Sequence, residues 1–244
     1  MINKRIIRVN QTESTNTFLR SYTPSDNEDI TIAVATYQTA GRGQGTNTWE
    51  SEAGKNLLFS ILVRPKRLPV RCQFLLSEAA ALSVHDVLAG YTDDITVKWP
   101  NDIYWKDKKI SGTLIETSIS QKGINRFIIG TGVNINQQHF LSEAPNPVSL
   151  CQIVGHEVPL NEVLDQIIAG FDKYYNMIID GDYIDIAALY YLNLYRRKGF
   201  HTYRDKNGEF EGSIVEVEDD GHLILRDREG RVRSYAFKQV EFVL

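Results

Sequence analysis

The chain has 244 residues, 42% of them apolar, and a formal net charge of −4; this is enough to bury one large domain, or a large domain with a small appendage. The negative balance argues against a broad nucleic-acid surface, no apolar run is long enough to span a bilayer, and Met1–Ile6 lacks the apolar segment of a secretory signal. Cys72 and Cys151 lie far apart, and the five histidines are scattered, so reduced thiols, a cytoplasmic setting and no structural zinc are expected.

In chain order, Ser14 is placed to cap a short helix running through Tyr22, and Pro24 to Asp29 form a polar turn. Ile30 to Tyr37 alternates and is β-branched, which predicts a strand; Leu57 to Val63 predicts another, ended by Pro65. Cys72 to Leu88 carries apolar residues at helical spacing, with Gly90 just past its end. Three strands are expected next, Thr96 to Tyr104, Ile110 to Ile119 and Phe127 to Ile135, separated by turns at Lys106-Asp107-Lys108 and Gln121-Lys122-Gly123 as in an antiparallel meander. Helices are expected over Asn161 to Ile179, stopped by Gly181, and from about Ile184 to Arg197. After Gly199 the helical period stops. Hairpin signals at Asn207-Gly208, Asp220-Gly221 and Glu229-Gly230 predict a small β-barrel of the SH3 kind, which sets expected domains of 1–197 and 198–244.

Four segments concentrate chemistry. Lys98-Trp99-Pro100-Asn101-Asp102 places a charge inside a stretch that reads as buried sheet, so its ammonium must reach solvent or meet an anion. Gly41-Arg42-Gly43-Gln44-Gly45 has three glycines in five residues; its backbone can approach a ligand, its N–H groups can cradle an anion, and Arg42 adds a charged fork. It is neither a Walker loop nor a dinucleotide fingerprint, and a plain surface connection is the alternative. Ser14-Thr15-Asn16 reads locally as a helix cap. Gly130-Thr131-Gly132-Val133-Asn134 puts glycines inside a strand, implying close backbone approach, with Asn134 able to donate to and accept from a ligand.

Taken together, Ser14-Thr15-Asn16, Gln38-Thr39-Ala40-Gly41-Arg42-Gly43, Trp49, Lys98-Trp99-Pro100-Asn101-Asp102, Lys109-Ile110-Ser111-Gly112, Leu114-Ile115-Glu116 and Gly130-Thr131-Gly132-Val133-Asn134 resemble, in order, the biotin protein ligases (biotin–[acetyl-CoA carboxylase] ligases). The resemblance covers nearly the whole chain. Part of that family carries an N-terminal winged-helix DNA-binding domain; only about a dozen residues precede Ser14 here, so the form without that domain is expected. The resemblance implies an α+β fold, a class II aminoacyl-tRNA-synthetase-like mixed or antiparallel sheet with helices, followed by the SH3-like unit. It also implies activation of biotin by ATP to biotinyl-5′-AMP with release of pyrophosphate, then transfer to a lysine of a biotin carboxyl carrier protein of a biotin-dependent carboxylase.

By this resemblance Lys98 and Arg42 are catalytic, and Lys98 meets the biotin carboxylate and the α-phosphate. Ser14, Thr15, Asn16, Gln38, Gly41, Arg42, Gly43, Lys98, Gly112 and Leu114 bind biotin; Arg42, Gln44, Trp49, Lys98, Asn101 and Asn134 bind the nucleotide. Mg²⁺ is expected on the ATP phosphates rather than in a protein cage, with Asp102 orienting Lys98 or metal-bound water. No nucleic acid or membrane partner is expected, and the chain is expected as a monomer or homodimer. A lipoate or octanoate ligase and a non-catalytic biotinyl-adenylate binder are the alternatives.

Many members of the family carry a second arginine where Gln44 stands, a glycine at Thr46 and another arginine at Asn47. The loss of charge implies either faster release of the adenylate or a compensating cation from elsewhere in the chain. Gln44→Arg is expected to slow adenylate dissociation; equal dissociation rates for the two proteins would remove the idea.

Overall fold

Seven strand segments pair into one sheet because most alternate apolar residues toward a helical layer. The computed structural model describes residues 2–65, 68–121, 123–141 and 146–243; Lys122 of the expected turn lies outside them. The strands are β1 (Lys4–Thr12), β2 (Ile30–Gln38), β3 (Leu57–Val63), β4 (Ile95–Lys98), β5 (Asp102–Trp105), β6 (Lys108–Ser120) and β7 (Gly123–Val133), in the order β1-β2-β3-β7-β6-β5-β4. β1 and β2 are parallel and every other neighbour is antiparallel. β3 is buried along its whole length, as a strand covered on both faces must be.

Helix α2 (Phe74–Ala89) is buried almost all round and packs against α4 (Leu160–Asp180), α5 (Tyr183–Leu192), β4 and β5. The other face of the sheet carries α1 (Thr15–Ser21), whose Leu19 packs on Ala33, Leu62 and Ile128. Ser14 stands at its N-cap, but its side chain makes no capping hydrogen bond. At the other end the Arg126 guanidinium donates to the carbonyls of Leu19, Arg20 and Tyr22, a cation placed where the helix dipole is negative. Among the described residues no helix is long and apolar enough to cross a membrane.

Four elements differ from expectation. The single strand predicted over Thr96 to Tyr104 is two, β4 and β5, folded back on each other with Lys98 opposite Asp102. Pro100 has no N–H for a ladder, so the strand stops there, and the Trp99–Pro100 bond is cis. β1 was not predicted; its residues are mostly exposed, so the alternation that reveals a half-buried strand is weak. The short helix α3 (Leu150–Val154) was also missed, and α5 stops at Leu192 rather than Arg197.

The C-terminal residues form β8 (His201–Asp205), β9 (Gly208–Val217), β10 (Leu223–Asp227), β11 (Val232–Tyr235) and β12 (Val240–Phe242), an antiparallel sheet in the order β11-β10-β9-β8-β12. Gly208, Gly221 and Gly230 turn its hairpins with φ of 117°, 93° and 84°, a region open mainly to glycine. Among the described residues β11 and β12 do not pair with each other, so the expected barrel is an open five-stranded sheet.

This second sheet is fixed to the first through the β4–β5 turn. Trp99 Nε1 donates to Gly221 O at 3.0 Å, and the Trp99 ring meets Phe237 edge-on at 6.0 Å. From the other side Tyr190 OH donates to Pro100 O at 2.7 Å.

Glu78 of α2 lies under the β9–β10 turn, 3% exposed, with Oε2 lacking a hydrogen-bond partner. Burial pushes its carboxyl up to about 8, and Asp219 adds to the rise. A carboxyl raised in the folded state stabilises below its unfolded value, and that stability is lost as pH rises through the folded value. Glu78→Gln should therefore gain thermal stability over wild type as pH rises from 5 to 9, by roughly 4 °C or more at the upper end. Calorimetry across that range checks it; a gap independent of pH would show that Glu78 does not titrate there.

Candidate functional site

On the face opposite α2, the register of β3, β7 and β6 aligns Ser60 with Gly130 and Leu114, and Leu58 with Gly132 and Gly112. The glycines make a floor without side chains, and two groups descend onto it. A Cβ on Gly130 would fall inside the Asn16 carboxamide, and one on Gly132 inside the Trp49 indole. One on Gly112 would lie 2.8 Å from Trp49 Cζ3 and 2.9 Å from Lys109 Cε. The β7 glycines flagged in the sequence are therefore places of close approach.

At the Gly130 end sits a closely bonded polar group. Gln38 Oε1 accepts from Thr15 N at 2.7 Å and from Thr15 Oγ1 at 3.0 Å. Ser60 Oγ lies 2.6 Å from both Thr15 Oγ1 and Asn16 Oδ1, with one proton to share between them. Asn16 Nδ2 donates to Leu114 O at 3.3 Å. Thr15, Asn16 and Ser60 are all buried. The Ser-Thr-Asn segment is thus more than a helix cap: the Thr15 and Asn16 side chains point into the sheet. Ser60 was missed because it is one hydroxyl in an apolar run; a polar residue in a fully buried strand was the available signal.

The glycine loop is a small hairpin. Arg42 bridges Thr48, Gly43 N donates to Asn47 O at 2.8 Å, and Trp49 N donates to Gly41 O at 3.0 Å. A Cβ on Gly41 would lie 2.5 Å from Trp49 O, so Gly41 is what lets Trp49 fold back onto the floor. Trp49 Nε1 is buried without a partner. The Arg42 guanidinium stands 3.7 Å from Glu116 Oε1, which also receives Arg20 at 2.6 Å.

Two lysines stand at this end of the sheet. Lys109, not singled out as a site residue from sequence, brings Nζ to 3.1 Å from a Cβ built on Gly112 and 6.0 Å from the Trp49 ring, paired with Asp102 Oδ2 at 2.6 Å. Lys98 stands one step back: its Nζ donates to Tyr104 OH at 3.1 Å and faces the rings of Tyr104 and Phe242 at 4.9 and 5.4 Å. Burial pushes the Lys98 ammonium down, Asp102 pulls it back up, and Lys109 and Arg196 push it down again.

Asn134 is buried beside the end of the floor. Its Nδ2 donates to Val148 O at 3.2 Å, and its Oδ1 has no partner, an acceptor left open for a ligand donor. Asn101 turns the other way: its amide donates to Ser77 Oγ of α2 at 3.3 Å, and the residue is buried. It therefore holds the β4–β5 turn instead of facing the floor. Gln44 is exposed at the tip of the hairpin.

A family model described as the biotin/lipoate A/B protein ligase family matches residues 9–134, which enclose every residue of this site. The chain belongs to that family. Among relatives, the bifunctional ligase/repressor BirA of Bacillus subtilis is 32% identical over 212 residues, which is 84% of this chain and 64% of the relative. The biotin–[acetyl-CoA-carboxylase] ligase of Paracoccus denitrificans is 29% identical over 91% of this chain and 94% of its own length. A solved structure of the Aquifex aeolicus biotin protein ligase in complex with biotin and ATP superposes with a TM-score of 0.80 at 25% identity, covering 98% of this chain and 99% of that one.

The floor predicts an asymmetry between its glycines. Gly130→Ala should cost stability on the order of several kcal/mol, because Asn16 is held by neighbours on a packed helix. Gly132→Ala should cost less and instead displace Trp49, whose loop can move, shifting tryptophan fluorescence. Melting curves and emission spectra check both; equal destabilisation with unchanged emission would contradict the assignment.

Proposed function

We propose that the protein is an ATP-dependent ligase that activates biotin as biotinyl-5′-AMP and passes it to a lysine of a biotin carboxyl carrier protein. The observation that carries this reading is one face of the sheet with a polar group at the Gly130 end, bare glycines along it and cations at the other end. Biotin is a largely apolar molecule with a ureido head and a carboxylate tail. Its head fits the Thr15, Asn16, Gln38 and Ser60 group, where each unmatched N–H or C=O would cost on the order of 1–3 kcal/mol. A dithiolane ring offers that group nothing to bond, which favours biotin over lipoate. The name of the Paracoccus relative makes the acetyl-CoA carboxylase carrier the first candidate for the acceptor.

In the first step a biotin carboxylate oxygen attacks the α-phosphorus of ATP, and the bond to the bridging oxygen breaks to release pyrophosphate. Two anions must meet, so the site has to supply positive charge. Lys109, beside the floor and held by Asp102, is placed to do this; Lys98 adds a second charge behind it. Arg42 reaches the trough on releasing Glu116, 3.7 Å away. The open Asn134 Oδ1 accepts from the adenine amino group. Mg²⁺ fits here as a passenger of the triphosphate: Asp102, the carboxylate at the floor, is already paired with Lys109. In the second step the carrier lysine's amine attacks the acyl carbon, AMP leaves with the mixed-anhydride electrons, and the amine's proton is lost. Closure of the glycine loop keeps water from the anhydride meanwhile.

Biotin-dependent exchange of pyrophosphate into ATP tests the reading. Lys109→Met should lower exchange roughly 100- to 1,000-fold, and Lys98→Met about tenfold. Absence of exchange with biotin in the wild type would overturn the proposal, and a larger loss at Lys98 than at Lys109 would return the leading role to Lys98.

A further inference from the structure

Two buried carboxamides, Asn56 and Gln137, join segments that are far apart in the sequence. Gln137 Oε1 accepts from Asn56 Nδ2 at 2.6 Å and from Glu52 N at 2.9 Å. Its Nε2 donates to His139 O at 2.8 Å and to Glu50 Oε1 at 3.1 Å. Asn56 in turn accepts from Ile135 N at 3.0 Å and donates to Ser51 Oγ at 3.1 Å. Each polar atom of the two side chains has a partner, as burial demands. The residues after the glycine loop are thereby bonded to the residues after β7.

Glu50 extends this joint in both directions. It directly follows Trp49, whose indole rests over Gly112 and Gly132. Besides the Gln137 amide, its carboxylate receives Leu141 N, at 2.9 Å on Oε1 and 3.1 Å on Oε2. A carboxylate receiving N–H groups makes a stronger contact than a neutral acceptor would. Residues 137–141 belong to the connection that leaves the sheet at Asn134 and returns to it. Asn134 Nδ2 donates to Val148 O, and Leu150 N donates to Asn134 O at 3.0 Å. Glu50 therefore holds the loop of Trp49 and Arg42 on one side. On the other it holds the segment rooted at Asn134, whose Oδ1 is the open acceptor. A ligand laid along the glycine strands meets the indole, and any shift of Trp49 passes to the next residue.

We infer that Glu50 is a positioning residue through which biotin on the sheet face and the adenine side of the nucleotide tighten each other's binding. This rests on the ATP-dependent reading above and adds a residue that touches neither ligand; its partners Gln137 and Leu141 lie beyond the matched family stretch, which ends at residue 134. Trp49 seated on biotin fixes Glu50, and Glu50 fixes the Leu141 amide and the segment that leads back to Asn134. The buried Asn56–Gln137 pair is the rigid part of the joint. Glu50, half-buried, is the part that can let go. The effect is reciprocal: the factor by which biotin strengthens ATP binding equals the factor by which ATP strengthens biotin binding.

The test uses the full chain and calorimetric titration with biotin and with α,β-methylene-ATP, whose bridging carbon prevents adenylation. In the wild type, saturating biotin should lower the dissociation constant of the analogue roughly five- to twentyfold, and saturating analogue should lower that of biotin by the same factor. Glu50→Ala should bring both factors to within about twofold of unity, while each ligand alone binds within about twofold of wild type and the melting temperature is unchanged. Glu50→Gln keeps an acceptor for Leu141 N and should retain most of the coupling. Unchanged coupling in Glu50→Ala would overturn the inference, as would weakening of each ligand measured alone with the coupling intact. Coupled binding in a wild type that exchanges no pyrophosphate with biotin would keep the role of Glu50 and overturn the proposed reaction. Exchange in a wild type without coupling would keep the reaction and overturn the inference. A wild type that binds neither ligand would overturn both.

Discussion

The site depends on three absent side chains. Gly112, Gly130 and Gly132 sit side by side on β6 and β7, and only their bare backbone lets Asn16 and Trp49 settle onto the sheet. From that approach follows the seating of α1, since Asn16 is its second residue and bonds to Leu114 O. The fold-back of the glycine loop follows too, because Trp49 is its anchor. A strand interior normally loses stability through glycine; here that loss makes room for a trough along a sheet whose other face is filled by helices.

Charge is arranged in steps away from that floor. Lys109 is nearest, Asp102 clasps it at 2.6 Å, and Lys98 lies behind among aromatic rings. Asp102 partly neutralises Lys109, and in the proposed reaction it would release that lysine to an anion. Glu116 serves Arg42 in the same way, at a looser 3.7 Å. Arg42 is the more exposed cation, and a pair of that kind is worth little, so giving up Glu116 costs the protein little.

Much of this was legible in the sequence for local reasons. The hairpin dipeptides at Asn207-Gly208, Asp220-Gly221 and Glu229-Gly230 each turn a strand pair, because left-handed backbone demands such residues. The glycines of β7 announced close approach. What stayed hidden was long-range. Lys98 was the conspicuous charge because it follows apolar neighbours, but which of two lysines faces the floor depends on a hairpin folded at Pro100. Ser60 acquires meaning only beside Thr15 and Asn16, 45 and 44 residues away. The approach of Lys238 Nζ to within 3.1 Å of a Cβ built on Gly45 has no local signal at all, since it is set by the docking of one sheet on another.

One anchor of that docking is an indole. Trp99 belongs to the same short turn as Lys98 and Asp102, and it is bonded to Gly221 and covered by Phe237. The two sheets are therefore poor candidates for independent exchange between relatives. A chimera joining this first sheet to a foreign C-terminal unit would inherit a tryptophan without its carbonyl acceptor, beside the residues that hold Lys109. Compatibility across the junction, more than the quality of either half, would decide whether such a hybrid works.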